Sequence, residues 1–273
     1  MLPKDSMANT FLVSIVLCIV CSLLVSSAAV ALKPRQERNK LLDQQRNIIA
    51  AAGLVEDPAA LSGKEIEKLF ADRIERKLVD LQTGEFVEGA DPKYDPRKAA
   101  KDPRQRVPVE GSFDIGVRFR EPMTWVYLVK NEQGEVEQIV LPIYGMGLWS
   151  VLYGYIAIDK DLRTVRGLTF YEHGETPGLG GEVENPVWKA KWVGKQIWEE
   201  GKPRTDEFLR IGVAKGSPPP ALQPYQVDGL SGATITSRGV STMLQYWFSS
   251  QGFGPFINRL ASQQGASDGS SQS

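Results

Sequence analysis

The sequence predicts an α+β protein: a single N-terminal transmembrane helix followed by a domain of antiparallel strands with packed helices. Three observations lead to this class. Residues 11–32 carry no charge, and a helix of that length reaches across a bilayer core. Two pairs of strand-like segments flank short turns. Segments with helical spacing and capping signals lie on either side of those pairs.

The N-terminal segment allows two interpretations. Its length favours a retained anchor over residues 11–32, preceded by an N-terminal stub over 1–10. Ala29 and Ala31 form the small-x-small pattern that signal peptidase cleaves, which favours a removed signal peptide. Basic residues follow the segment, and the positive-inside rule would keep the C-terminal body in the cytoplasm. These residues are Lys33, Arg35, Arg38 and Lys40.

The region after the anchor begins with helical signals. Residues 41–54 repeat leucine and isoleucine with helical spacing. Ser62 and Glu65 match a capping box, which predicts a helix through about Leu78. Residues 91–108 contain four prolines among charged residues and are typical of a linker or an irregular surface loop.

Strand signals dominate the middle of the chain. Residues 124–130 and 135–141 flank an Asn-Glu-Gln-Gly turn and predict one hairpin. Residues 151–159 and 165–171 predict a second hairpin. Both pairs alternate or concentrate β-branched and aromatic residues, so we expect an antiparallel sheet.

Two helices and a tail complete the prediction. Asn185 supplies an N-cap for a helix over 186–201, along which two tryptophans and an isoleucine recur. The last helix is predicted over 237–250, with Gly252 as its C-cap. The tail is rich in Ser, Gln and Gly, and we predict that residues 257–273 are disordered.

Composition excludes several classes of function. Lys and Arg total 32 against 33 Asp and Glu, so the net charge of −1 argues against a nucleic-acid partner. Both cysteines, Cys18 and Cys21, lie in the apolar segment, which excludes a disulfide framework or a Cys-ligated metal in the rest of the chain. His173 is the single histidine. The chain is therefore poorly supplied for acid–base catalysis, and an external cofactor is favoured.

The stretch Val-Asp-Gly-Leu-Ser-Gly-Ala-Thr-Ile-Thr-Ser is a loop of small residues that runs into a predicted helix. Such a junction presents unpaired backbone N–H groups to an anion such as a phosphate. Gly232 and Ala233 allow close approach of the backbone, and Ser231 and Thr234 supply hydroxyls. The alternative is that Ser231 or Thr236 merely caps the helix.

Two further glycine-rich stretches accompany it. Residues 173–181, His-Gly-Glu-Thr-Pro-Gly-Leu-Gly-Gly, predict a tight loop. This loop lacks the Gly-Lys-Ser/Thr ending of a P-loop and the spacing of a dinucleotide fingerprint. Residues 144–149, Tyr-Gly-Met-Gly-Leu-Trp, alternate aromatic residues with glycine. They predict either a flat slot for a ring system or a glycine-bent strand corner.

Together these stretches resemble the FMN-binding domain family, and within it the C subunits of the bacterial sodium-translocating NADH:quinone oxidoreductases. The Asp-x-x-Ser-Gly-Ala-Thr run is similar to the flavinylation motif of that family. The resemblance covers nearly the whole chain and implies an intervening α/β segment over 33–139 and an FMN-binding domain over 140–256. The G subunits of the related Rnf complex share the anchor and the motif but are shorter between anchor and domain.

The resemblance also implies roles for particular residues. FMN would be attached covalently, through a phosphodiester bond to Thr234. The residues that would complete the motif read by a flavin transferase are Asp228, Ser231, Gly232 and Ala233. The residues that would line the flavin ring or hold the phosphate are Glu175, Thr176, Leu179, Gly180 and Lys215.

The implied function is that of an electron carrier in a membrane sodium pump, with FMN as its cofactor and the other subunits of the complex as partners. The protein would cross the bacterial inner membrane once through residues 11–32. Its exported C-terminal domain would lie in the periplasm, against the pattern of basic residues. Oxidation of NADH would belong to another subunit.

Two alternatives come from other classes. A serine hydrolase would use Ser231, but its nucleophile elbow requires glycine where Ala233 stands. Its base would have to be His173, which precedes the serine in chain order. A membrane-anchored, non-catalytic binding module is the second alternative, and it predicts a colourless protein.

Overall fold

The computed structural model describes residues 7–270. Its contacts divide the chain into two compact units, the first ending at Gln45 and the second beginning at Arg46. The helices are α1 (Met7–Ala52), α2 (Gly63–Arg73), α3 (Pro96–Ala99), α4 (Pro186–Ala190), α5 (Thr234–Phe248) and α6 (Gly254–Ser270). The strands are β1 (Ile74–Asp80), β2 (Val107–Pro108), β3 (Phe119–Arg120), β4 (Met123–Lys130), β5 (Val136–Met146), β6 (Val151–Asp159), β7 (Val165–Glu172), β8 (Gly212–Val213) and β9 (Gln226–Val227).

Helix α1 contains the predicted anchor. Within residues 7–270 it is the one helix whose length and composition would allow it to cross a membrane. The predicted span, 11–32, lies inside it, whereas residues 1–6 of the predicted stub lie outside the described residues. The last turns of α1 belong to the second unit, where Ile48 and Ile49 are completely buried.

The second unit is built on an antiparallel sheet with the strand order β1-β4-β5-β6-β7. The predicted hairpins are confirmed as the pairs β4–β5 and β6–β7. Gly134 closes the first turn with φ +83°, a conformation that favours glycine. The fold class predicted from the sequence, an apolar N-terminal helix followed by antiparallel strands with packed helices, is confirmed.

Helix α5 packs against one face of this sheet and closes the main core. Met243 and Val240 of the helix are fully buried in one cluster with Leu141 of β5. A side chain at Gly239 would collide with the carbonyl oxygen of Met146, so only glycine allows this close approach of α5 to the end of β5. The packing brings the start of α5 next to the β5–β6 turn.

The predicted helix beginning at the capping box ends earlier than expected. The box itself is confirmed: the Ser62 hydroxyl accepts from the backbone N–H of Glu65, whose carboxylate accepts from the N–H of Ser62. However, α2 ends at Arg73, and Ile74–Asp80 forms β1. Pairing of every residue of β1 with β4 outweighs the helical signal of this segment.

Three predictions near the C-terminus require correction. The helix predicted over 186–201 is confined to α4, because the chain turns at Gly194 (φ +83°) and then extends; Asn185 caps it as expected. The helix predicted over 237–250 begins three residues earlier and has Ser249, not Gly252, as its C-cap. The tail predicted as disordered from 257 begins inside α6, where Ile257 is completely buried; residues 271–273 lie outside the described residues.

The proline-rich segment 91–108 is packed on the sheet and is not an open linker. It contains α3 and β2. The Tyr94 hydroxyl donates to the carbonyl of Met123 (3.1 Å), and the Trp125 indole N–H donates to the carbonyl of Tyr94 (2.9 Å). Of the two interpretations that the sequence left open, the irregular surface loop is the better description.

Candidate functional site

The three glycine-rich stretches meet at the start of α5. The helix begins at Thr234, with Ala233 as its N-cap, and no side chain caps it. The first helical hydrogen bond runs from the N–H of Ser237 to the carbonyl of Ala233 (2.9 Å). In the described part of the chain, the N–H groups of residues 234–236 have no acceptor. This end of the helix can therefore bind an anion.

The capping alternative for Ser231 and Thr236 is excluded by where their hydroxyls lie. Ser231 is exposed and does not cap α5. Thr236 is completely buried, and its hydroxyl donates to Glu175 Oε2 (2.6 Å). The Ser237 hydroxyl accepts from the N–H of Leu230 (3.0 Å), which fixes the loop before the helix.

Thr234 differs from these neighbours. It is the first residue of α5 and is exposed. Across residues 7–270 its hydroxyl has no hydrogen-bond partner. A free hydroxyl thus stands beside three free N–H groups.

Glu175 joins all three stretches through one carboxylate. It is only 5% exposed. Oε1 accepts from the N–H groups of Trp149 (2.9 Å) and Ser150 (3.2 Å), and Oε2 accepts from that of Leu148 (3.2 Å). With the bond from Thr236, the loop after β7 is tied to the β5–β6 turn and to the first turn of α5.

The charge state of Glu175 follows from these contacts. Burial alone would raise the pKa of the carboxyl. The hydrogen bonds from the Thr236 hydroxyl and from the three backbone N–H groups outweigh that effect and lower the pKa below its ordinary value. The carboxylate is therefore ionised at neutral pH. The carboxylate is bonded within the protein and holds together the loops that are predicted to line the flavin ring. Its own contact with the ring stays a prediction.

The loop that follows Glu175 lies directly on the motif. A Cβ at Gly232, whose φ is +70°, would come within 2.8 Å of Leu179 Cδ2. A Cβ at Gly180 would come within 2.7 Å of the Thr236 hydroxyl. Leu179 is 43% exposed, and Thr176 is exposed as well. Both side chains are therefore accessible to a ligand, and their contact with a flavin ring stays a prediction.

Asp228, at the start of the motif, is held from α4. Its carboxylate forms an ion pair with the ammonium of Lys191. Its carbonyl accepts from the indole N–H of Trp188 (2.9 Å). The aspartate is half-buried and has a fixed backbone, so it is part of the folded frame of the motif and does not belong to a loose loop.

Lys215 is placed near the motif by the backbone and not by a side-chain contact. Ala214 donates to Val227 (2.9 Å) and Gly229 donates to Gly216 (2.9 Å), so the segment around Lys215 runs beside the start of the motif. Its ammonium is exposed and makes no ion pair or hydrogen bond with any residue that the structure describes. The structure gives it no contact with Thr234.

His173 does not serve Ser231. Its Nδ1 accepts from the N–H of Glu175 (3.2 Å), and its Nε2 lies 3.0 Å from Glu184 Oε1. The imidazole thus lies against Glu175 and Glu184 and not against Ser231. The nucleophile–base contact that a serine hydrolase requires is absent from the described residues.

Sequence reasoning named two further residues of these stretches without predicting their bonds to Glu175. Thr236 was predicted only as a possible helix cap, although its bond to Glu175 links the loop to α5. Trp149 was treated only as part of a ring slot or strand corner, and its indole is 67% exposed on the turn that Glu175 holds. The sequence pattern that could have drawn attention to Trp149 is a tryptophan close to two glycines in a predicted turn.

A protein-family comparison matches the same region. The family model described as "FMN-binding domain" matches residues 147–249. This range begins at the β5–β6 turn and ends after α5, so it contains all the contacts of Glu175, Thr236 and Asp228 described in this section. Residues 147–249 thus form an FMN-binding domain.

The whole chain has close relatives. It is 46% identical over 259 residues to the C subunit of the Na(+)-translocating NADH-quinone reductase of Yersinia pestis, covering 94% of each chain. It is 48% identical to that of Pseudomonas aeruginosa, covering 95% of this chain and 98% of the relative. The crystal structure of Shewanella oneidensis NqrC matches with a TM-score of 0.72 at 33% identity, covering 84% of this chain and 99% of that one.

The chain belongs to the family of the C subunits of the Na(+)-translocating NADH-quinone reductases. It is thus a subunit of an oxidoreductase complex. This assignment decides between the C subunits and the Rnf G subunits in favour of the former. The predicted domain boundaries and the individual site residues remain predictions.

Proposed function

We propose that this protein carries FMN bound covalently through a phosphodiester bond to Thr234 and relays electrons within a membrane sodium pump. The family and the FMN-binding domain support the cofactor. The observation that carries the attachment is the free, exposed hydroxyl of Thr234 at the uncapped start of α5.

The neighbouring hydroxyls are less suited to attachment. Thr236 is buried and donates to a carboxylate, and Ser237 is engaged by the N–H of Leu230. Ser231 is exposed but lies before the helix, away from its first turn. A phosphate on Thr234 would meet the free N–H groups and the positive end of the helix dipole.

The other predicted residues have roles that fit this arrangement. Gly232 and Ala233 have small side chains or none, so a ligand attached at Thr234 can approach the backbone closely. Thr176, Leu179 and Gly180 form the accessible loop for the flavin ring, and Glu175 fixes that loop. Three further predicted residues lie in the motif or beside it: Asp228, Ser231 and Lys215.

FMN supplies chemistry that the chain lacks, because a flavin takes up and gives away electrons one or two at a time. The protein positions the flavin and shapes its surroundings. The donor and the acceptor are cofactors of the other subunits, and a separate flavin transferase attaches the FMN. None of these roles requires an acid–base side chain at the site.

A matched pair of threonine variants tests the attachment. The full chain is expressed with a flavin transferase, and its intact mass is measured after denaturation. Wild type and Thr236→Val should gain the mass of FMN minus one water, whereas Thr234→Val should gain nothing. A flavin-sized gain in Thr234→Val would overturn the attachment, and a colourless wild type would favour a binding module instead.

We also propose that α1 anchors the protein in the bacterial inner membrane with the second unit in the periplasm. The apolar, exposed surface of α1 over 11–32 supports the anchor. Alkaline phosphatase is active only after export, so fusing it to the C-terminus should give an active enzyme. An active cytoplasmic reporter fused at the same position would show that the second unit lies in the cytoplasm, which is the opposite orientation.

A further inference from the structure

A basic segment follows the apolar span of α1 and has no role in the site described above. Residues 33–40 contain four cations and one carboxylate, which gives the segment a net charge of +3. All four cations are exposed and belong to the continuous helix α1, so a ligand of opposite charge can reach them. We refer to them as the basic collar: Lys33, Arg35, Arg38 and Lys40.

The collar surrounds the helix and does not form a stripe along one side of it. Each residue of an α-helix is rotated by about 100° from the previous one. Lys33 and Lys40 therefore lie on one side of α1, whereas Arg35 and Arg38 lie on the other. A protein that contacts one side of the helix would meet only part of such a ring. Lipid headgroups form a layer around a membrane helix, and such a layer would meet all of it.

The collar lies at the depth of the headgroups when the apolar span crosses the hydrocarbon core. Residues 11–32 extend over roughly 33 Å as a helix, which matches a core of about 30 Å. The collar begins directly after Leu32 and covers about 10 Å of helix. Helix side chains tilt toward the N-terminus, so long cationic side chains that follow the span reach back toward the membrane surface.

Pro34 supports the same boundary. It lies inside α1, and because proline has no N–H, the carbonyl of Val30 lacks its helical donor. An unpaired carbonyl is costly in hydrocarbon, but water can hydrate it among the headgroups. The polar boundary of the membrane is therefore expected at the first residues of the collar.

We propose that the basic collar is a binding site for anionic phospholipids, whose phosphates pair with its ammonium and guanidinium groups. The proposal rests on α1 as the membrane anchor, and it adds a lipid preference that an apolar span alone does not have. It also gives the basic residues a role on the proposed periplasmic side, where the positive-inside rule does not expect them. There the collar would hold the end of the span at the membrane surface.

Native mass spectrometry of the full chain tests this site. The protein is reconstituted in nanodiscs that contain equal amounts of anionic phosphatidylglycerol and zwitterionic phosphatidylcholine with the same acyl chains. Wild type should retain roughly threefold more phosphatidylglycerol than phosphatidylcholine. The triple variant should retain equal amounts of both, because it removes the net positive charge of the segment. This variant combines Lys33→Gln, Arg35→Gln and Lys40→Gln.

The matched control removes three exposed lysines of the second unit and should keep the wild-type preference: Lys64→Gln, Lys68→Gln and Lys101→Gln. Two results would overturn the site. One is a preference for phosphatidylglycerol that survives in the triple variant. The other is loss of the preference in the control, which would place the anionic lipid on the second unit.

A separate measurement distinguishes the collar from the anchor itself. Wild type, triple variant and control should all stay with the membrane in an alkaline carbonate wash, because none of them changes the apolar span. Release of wild type by the wash would overturn the anchor. Retention of wild type without a lipid preference would overturn the collar alone.

Discussion

Glu175 and Glu121 are both almost inaccessible to solvent, at 5% and 3% exposed. Their pKa values are nevertheless shifted in opposite directions from the ordinary value. Glu175 accepts three backbone N–H groups and one hydroxyl. Glu121 lies just before β4, and its carboxylate accepts from the Tyr144 hydroxyl (2.7 Å). The pKa of Glu175 is lowered, and the pKa of Glu121 is raised.

The balance between desolvation and the groups that favour the charged form explains the difference. At Glu121 burial raises the pKa and outweighs the hydrogen bonds from Tyr144, Thr124 and its own backbone and the attraction of Arg120. At Glu175 burial also raises the pKa, but four donors outweigh it. Burial alone therefore does not set the charge of a carboxylate. A turn that aims consecutive N–H groups at one side chain can keep it ionised.

The largest loss of stability should come from removing the carboxylate of Glu175, which accepts four hydrogen bonds. Glu175→Ala leaves three N–H groups and the Thr236 hydroxyl without their acceptor, so we expect a loss of about 4 kcal/mol of unfolding free energy. Urea denaturation of the full chain in detergent measures it. Glu172→Ala, which breaks only the exposed ion pair with Arg97, is the control and should cost less than about 1 kcal/mol. Equal losses in the two variants would contradict the role of Glu175 as a junction.

A smaller effect should follow from removing one of the four donors. Thr236→Val keeps the shape of a fully buried side chain but loses a hydrogen bond to a charged group. We expect a loss of roughly 2 kcal/mol, measured in the same denaturation experiment. Thr234→Val, on an exposed residue without a partner, should stay within about 0.5 kcal/mol of wild type. A stable Thr236→Val protein would mean that the backbone N–H groups alone hold the turn.

The features that could be predicted from the sequence are those that depend on contacts between residues close together in the chain. The hairpins and the capping box rest on neighbours in the chain, and they are confirmed. The bond between Glu175 and Thr236 joins residues 61 positions apart, and no local pattern indicates it. From the sequence, Glu175 therefore has only the role that the family resemblance implies, and its bonds to the β5–β6 turn and to α5 are known from the structure alone.

The errors in secondary structure have the same origin. Ile74–Asp80 continues a helical pattern but becomes an edge strand because β4 is available to pair with it. Trp192 continues the spacing of α4, yet it lies in a turn and is completely buried in the core. In both places tertiary packing outweighs local propensity.

The smallest expected effect is on the pH dependence of stability, in which Glu175 and Glu121 contribute over different pH ranges. The folded-state pKa of Glu175 lies below its ordinary value of 4.5, so its contribution is present above that pH and is lost as the pH falls through the folded pKa. The folded-state pKa of Glu121 lies above 4.5, so its ionisation lowers stability as the pH rises through that pKa. Glu175→Gln should therefore flatten the acid side of the stability curve, and Glu121→Gln the side above pH 4.5. Denaturation midpoints across a pH range of roughly 3 to 8 check this, and the reverse assignment would contradict it.

The burial of Thr236 has a consequence for the uniformity of the protein. Two threonines separated by one residue point in different directions from a helix. If both were accessible, a transferase could produce two isomers of equal mass, with flavins in different surroundings and different reduction potentials. Because the Thr236 hydroxyl is bonded to Glu175, the attachment proposed above would occur at Thr234 alone. All copies of the protein would then carry the flavin in the same surroundings and with the same reduction potential.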